Sequence, residues 1–219
     1  MTPKPPPKFF WNLQNEIIMI LTNLNPKYTF DTFIVGDSND IMYRTAQSIA
    51  DNPIGIYNPL LICGDIGYGK THLIQAMANK IIAEKPNLNI IVYTCEQFVN
   101  EIADAMFLCG KLNTQNKIYN LRQYFKTADV LIMNDLQQFS VFKKVFQKEF
   151  FHILNELVSK HKQIVISATR HPKEIVELED NLCSLFEMGF LLEIQPPDNE
   201  TKIEILNSLA IEQKCVVPY

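Results

Sequence analysis

An α/β architecture, with a five-stranded parallel sheet layered between helices on both faces, is the fold class that this sequence predicts. Three observations predict it. Short and almost wholly apolar runs recur along the chain, as strands buried on both faces require. Longer stretches between them carry apolar residues at helical spacing. The two kinds alternate, which makes the helices crossovers between parallel neighbours.

The first apolar run is Leu60–Cys63 (LLIC), which ends in glycine and reads as a buried strand. From Lys70 to about Ile82 the residues Leu73, Ile74, Ala76, Met77, Ala78, Ile81 and Ile82 form one helical stripe. Asn89–Thr94 (NIIVYT) reads as the second strand, with helices over Glu96–Leu108 and Asn113–Lys126 after it. Asp129–Met133 (DVLIM) reads as the third strand and Val145–Val158 as a helix with a broad apolar face. Gln163–Ser167 (QIVIS) and Gly189–Ile194 (GFLLEI) complete the set of strands. Pro196 and Pro197 punctuate the chain, and Asp198 or Asn199 is suited to cap a last helix over Glu200–Glu212.

The N-terminus is different in kind. Residues 1–8, with three consecutive prolines, read as a tail outside any helix or sheet, and they are too polar for a signal peptide. Phe9–Leu24 is apolar but interrupted by Asn12, Gln14, Asn15 and Glu16, so it is too short and too polar to span a bilayer. A helix that docks on the domain or on a partner is the expected role, with a membrane-surface helix as the alternative.

The 219 residues suit one sizeable domain; 47% are apolar and 20% charged, which excludes global disorder. A net charge of −4 excludes a whole-domain basic field for gripping DNA. The five cysteines (Cys63, Cys95, Cys109, Cys183, Cys215) are odd in number and form no CxxC pair, and with four scattered histidines no metal-ligand spacing appears. Buried thiols in a reducing cytoplasm are expected.

The chemistry is concentrated directly after the Leu60–Cys63 strand. Gly64-Asp65-Ile66-Gly67-Tyr68-Gly69-Lys70-Thr71 matches G-x-x-x-x-G-K-[ST] in full, between an apolar strand and an amphipathic helix. Glycines let the backbone turn so that successive amides point at phosphate oxygens, and the helix start adds its dipole. Lys70 is placed to reach the β- and γ-phosphates, and the Thr71 hydroxyl to ligate Mg²⁺. The expected ligand is ATP or ADP with Mg²⁺. A second element follows the third strand at Asn134-Asp135, where such sites keep their metal-binding carboxylate. Asn134 offers a neutral carbonyl oxygen to the metal, and Asp135 is suited to orient an attacking water.

With both motifs located, the chain resembles the AAA+ ATPase domain of the DnaA family of bacterial replication initiators from Tyr28 to about Lys214. The resemblance is carried by YTFDTFIVGDSN (Tyr28–Asn39), YNPLLICGDIGYGKTHLIQA (Tyr57–Ala76), KEFFHILNEL (Lys148–Leu157), KQIVISATRHPKEI (Lys162–Ile175), LEDNLCSLFEMG (Leu178–Gly189) and IQPPDNETKIEIL (Ile194–Leu206). It implies a P-loop NTPase fold of the AAA+ class, with a tail and docking helix over 1–27, a nucleotide-binding core over 28–198 and the start of a truncated helical lid over 199–219. It also implies an adenine pocket lined by Phe30–Val35 and Tyr57–Pro59, which puts Ile34, Val35 and Asn58 beside Gly64, Gly67, Gly69, Lys70, Thr71 and His72 among the nucleotide-binding residues. From the residues alone, Phe30, Phe33, Ile34 and Val35 are equally well explained as core.

Several positions depart from the family pattern. Its metal-binding Asp falls at Asn134, its sensor I acid at Thr169 and its arginine finger at Leu185, while Asn181 and Cys183 replace basic residues. Weak hydrolysis is therefore expected. The resemblance implies an ATP switch in the initiation and regulation of chromosomal DNA replication, assembling through its AAA+ interface with itself or a full-length initiator, and touching single-stranded DNA or a helicase. A helix-turn-helix for reading duplex DNA is not expected in this chain. Two alternatives stand beside it: a weakly hydrolysing regulatory module docked on a full-length initiator, and a helicase loader of the DnaC type, which shares the GKTHL string.

Overall fold

The computed structural model describes residues 24–53, 57–107, 111–141 and 144–213. The expected helix over Phe9–Leu24 lies outside these residues except for Leu24, which is buried.

In chain order the elements are α1 (Asp40–Asp51), β1 (Leu60–Cys63), α2 (Lys70–Glu84), β2 (Ile90–Thr94), α3 (Cys95–Phe107), α4 (Lys111–Lys126), β3 (Val130–Asn134), α5 (Lys144–Ser159), β4 (Gln163–Ala168), α6 (Asp180–Glu187), β5 (Phe190–Glu193) and α7 (Asn199–Glu212). Short 3₁₀ turns occupy Leu136–Val141 and Pro172–Glu174. The five strands form one sheet in the order β2-β3-β4-β1-β5, every pair parallel. The expected strands all form, with ends that shift by a residue or so. Asp198 is the residue that caps α7, its carboxylate accepting from the Thr201 N–H at 2.8 Å. Helices α1 and α6 are additions to the sequence reading. In α1 the buried apolar residues Met42, Ala46, Ile49 and Ala50 include two alanines, which mark a helix face only faintly.

Strand residues divide between two cores by alternation, the signature of a sheet covered on both sides. Leu61, Cys63, Ile91, Leu131, Met133, Ile164 and Ile166 face α3, α4, α5 and α6. Leu60, Ile62, Ile90, Val92, Val130, Ile132 and Val165 face α1 and α2. Three layers result. On the first face Phe98, Phe125, Phe139 and Phe150 interlock, with ring centroids of Phe139 and Phe150 at 5.0 Å and of Phe98 and Phe150 at 5.3 Å. The edge strands are less covered: β2 is half-buried at Tyr93 and Thr94, and β5, beyond β1, is the most open, with Phe190 at 40%.

Ahead of α1 the chain crosses α2, which holds it by main-chain atoms. The Asn25 N–H donates to Gln75 Oε1 at 2.7 Å, and Asn79 Nδ2 donates to the carbonyls of Asn25 at 2.9 Å and Tyr28 at 2.8 Å. His72 Nε2 lies 3.1 Å from the Thr29 carbonyl and 3.2 Å from Thr32 Oγ1, and its ring stacks on Tyr28 at 4.6 Å between centroids. Burial lowers the His72 pKa, and its bond to the Thr29 carbonyl opposes that shift in part.

Truncating Phe150→Ala should remove about 3–5 kcal/mol of stability, read from urea unfolding midpoints, because its neighbours are too tightly placed to refill the space. For His72 the sign follows from linkage. The folded chain resists protonating the ring, so the unfolded state binds more protons, and stability is lost as pH falls below the ordinary value of 6.5. His72→Phe should flatten that loss between about pH 5 and 7 in the same unfolding series.

Candidate functional site

β1 ends at the carboxyl edge of the sheet, where open α/β sheets place their ligands, and the chain turns back sharply into α2. Gly64, Gly67 and Gly69 take φ of 149°, 88° and 92°, a run of left-handed backbone that side chains resist. At Gly69 a second constraint acts: a Cβ there would lie 3.1 Å from the Phe33 ring. At Gly67 a Cβ would meet nothing within 4 Å, so the loop is open on its outer side. Gly69 is the N-cap of α2 and no side chain caps the helix start. The first-turn amides and the positive end of the helix dipole therefore face the loop, an arrangement that favours an anion.

Lys70 closes the loop from within. It is only 7% exposed, and its Nζ donates to the carbonyls of Gly64 at 2.6 Å and Asp65 at 2.8 Å. An ammonium carries three donors, so a further one is available to a ligand. Burial pulls the Lys70 pKa down, while the charges of Asp135 and Asp65 hold it up. Thr71 follows on the exposed side of the first turn.

Asn134 and Asp135 stand at the same edge. Asn134 is buried at the end of β3, and the Ser167 hydroxyl on β4 donates to its Oδ1 at 3.2 Å while accepting the Asp135 N–H at 3.1 Å. Asp135 has φ of 65°, uncommon for a residue with a side chain, and Gln137 Nε2 donates to its Oδ1 at 3.0 Å. Gln137 Oε1 in turn accepts the Thr169 N–H at 3.1 Å. Ser167 and Gln137 are the supports that sequence reasoning missed. No spacing reveals Ser167, because β3 and β4 become neighbours only through the strand order; Gln137 is local to Asp135, and its bond to the Thr169 N–H is not.

Other expected residues are not brought to the loop. Asn58 is corrected: its Nδ2 donates to the Lys162 carbonyl at 2.8 Å and its Oδ1 accepts the Ile164 N–H at 2.9 Å. That amide secures the start of β4, at the amino edge of the sheet, opposite the loop. Tyr57 shares this position, its carbonyl accepting from Gln163 Nε2 at 2.7 Å. The ring of His72 is turned to residues 28–33 rather than to the loop, so it meets the site through packing. Phe30 and Phe33 are core, whereas Ile34 is half-buried and Val35 is 39% exposed, close to the loop through Phe33. Leu185, at the position where the resemblance places the finger, is 2% exposed and packed in the core of α5 and α6.

Comparison with known proteins identifies the arrangement. Residues 24–193 match the family described as bacterial DnaA ATPase domain. The chromosomal replication initiator protein DnaA of Geobacter sulfurreducens is 44% identical over 197 residues, 90% of this chain and 42% of that protein. The crystal structure of domain III of the Thermotoga maritima replication initiation protein DnaA is 37% identical with a TM-score of 0.80, covering 89% of this chain and 78% of that one. A replication initiator DnaA bound to AMPPCP and single-stranded DNA is 35% identical with a TM-score of 0.77, covering 89% of this chain and 58% of the other. The chain thus spans about two fifths of the length of the full initiator it matches. With its five-stranded parallel sheet, its glycine loop and a family match over most of its length, this chain belongs to the DnaA family of bacterial replication initiators and carries the ATPase domain of that family.

Proposed function

We propose that this chain binds ATP or ADP with Mg²⁺ at Gly64–Thr71 and serves as the AAA+ nucleotide switch of an initiator acting in the initiation and regulation of chromosomal replication. One observation carries the reading: the uncapped start of α2 and the left-handed glycine loop adjoin the buried Lys70 ammonium, and the loop is open beside Gly67. A polyphosphate is the ligand such a donor set fits. The relative with AMPPCP and single-stranded DNA bound supports an adenine nucleotide and a single strand as ligands here too.

Within this reading Gly64, Gly67, Gly69, Lys70 and the amide of His72 hold the phosphates. The exposed Thr71 hydroxyl and the Asn134 carbonyl hold the metal, and Ile34 and Val35 border the base. Mg²⁺ would neutralise charge on the phosphates. A hard-cation site is normally built on a carboxylate, whereas Asn134 is neutral and its oxygen already accepts from Ser167, so metal affinity is low. Asp135, turned outward by its left-handed backbone and oriented by Gln137, accepts a proton from water. Thr169 supplies no charge and Leu185 is core, so hydrolysis is slow and the bound nucleotide acts chiefly as a state marker.

Residues 28–198 form the nucleotide-binding core in this proposal, residues 199–219 begin a helical lid, and residues 1–27 dock. Partners are further initiator subunits, single-stranded DNA and a helicase, and the cytoplasm is the expected compartment. Among the described residues no helix is long and apolar enough to cross a membrane. The matched family is that of the initiators rather than of the DnaC-type loaders.

Calorimetry with Mg²⁺–ATP tests the reading. Lys70→Ala should weaken binding roughly ten- to a hundredfold, the loss expected for a charge-assisted contact, with the helical circular dichroism unchanged. A folded variant of undiminished affinity overturns the assignment. Asn134→Asp preserves the acceptor for Ser167 and restores the missing charge, so steady-state ATP turnover should rise; unchanged turnover counts against a metal role for this position.

A further inference from the structure

Helix α2 does more than present its first turn to the loop. His72, Gln75 and Asn79 fall at i, i+3 and i+7, which aligns them on one face of the helix. All three contact residues 25–32, and they do so mainly through the main chain: the Asn25 N–H and the carbonyls of Asn25, Tyr28 and Thr29. Contacts of this kind set the path of a segment whatever its side chains. Asn79 serves only as a donor here, since its Oδ1 is buried without a partner.

The held segment runs on to the site. Phe33 lies against Gly69, in contact range of the position a Cβ would take, and Gly36 passes so close to α7 that a Cβ there would overlap Thr201 Oγ1 at 2.1 Å. Ile34 is fixed between these two contacts by Asn39, whose Nδ2 donates to its carbonyl at 3.1 Å. The stretch 33–36 is thus wedged between the phosphate loop and the first helix of the proposed lid.

We infer that His72, Gln75 and Asn79 are positioning residues for base recognition, placing the wall formed by residues 33–36 at a set distance from the loop that α2 itself terminates. The inference rests on the nucleotide reading above and adds to it a division of labour along one helix. The first turn, Lys70 and Thr71, meets phosphate. Beyond the main-chain amide of His72, the following two turns hold the base-side wall through their side chains and touch no ligand. Losing the stripe therefore weakens the contribution of adenosine to binding and leaves that of the phosphates intact, an effect that general loosening of the domain does not reproduce.

The test compares Mg²⁺–ATP with Mg²⁺–tripolyphosphate by calorimetry on the purified chain. Asn79→Asp, which turns two donors toward carbonyls into a carboxylate, should raise the Kd for ATP about tenfold and that for tripolyphosphate by less than about twofold. Gln75→Leu deletes the acceptor for the Asn25 N–H; it should shift the same ratio in the same direction and serves if Asn79→Asp does not fold. Equal losses for both ligands, an unchanged ATP affinity, or a wild-type chain that binds both ligands equally well overturns the inference. A wild-type chain that binds neither ligand overturns the nucleotide reading itself.

Discussion

The buried contact between the Lys70 ammonium and the carbonyls of Gly64 and Asp65 is the interaction on which the rest of the site depends. A cation taken out of water is costly unless its donors are met, and here the loop's own backbone meets them. That requirement sets the curvature of residues 64–69 and forces left-handed backbone on three glycines. Lys70 thus has a structural role in the loop, and its burial there is what lowers its pKa.

A second theme is that the site retains its geometry where charge has been withdrawn. Asn134 occupies the end of β3 with a Ser167 hydroxyl bonded to its oxygen, much as a carboxylate would be held. Asp135 remains oriented by Gln137 and by the Ser167–backbone contact, at a φ that costs energy and is retained because those neighbours over-determine it. Leu185 carries the change furthest: it has become part of the packed core beneath α6, so its position now contributes to stability.

The residues differed in how far their roles were visible in the sequence. Gly64, Gly67, Gly69, Lys70 and Thr71 were readable together because the glycine loop and helix start are contiguous residues, and contiguous residues keep their spacing in any fold. The five strands were readable because both faces of each are covered, or nearly so, and an apolar run reports that directly. Helix α1 escaped notice because alanine marks a buried face weakly. Asn58 was misplaced because a motif shared along the chain says nothing about which end of a four-residue strand its side chain serves.

From the sequence alone came the fold class, the strand–loop–helix at Gly64–Thr71, the family and the neutral substitutions at Asn134, Thr169 and Leu185. These depend on local order, on hydrophobic period and on residue identity. Only the tertiary structure decided that Ser167 and Gln137 support the end of β3, that Asn58 faces the opposite edge, that Leu185 points inward, and that α2 holds residues 25–32. The contacts of Ser167 with Asp135, of Gln137 with Thr169, of Asn58 with Lys162 and of His72 with Thr29 join residues from about thirty to about a hundred positions apart. The strand order β2-β3-β4-β1-β5, which brings such positions together, is a property of packing and leaves no trace in any single segment.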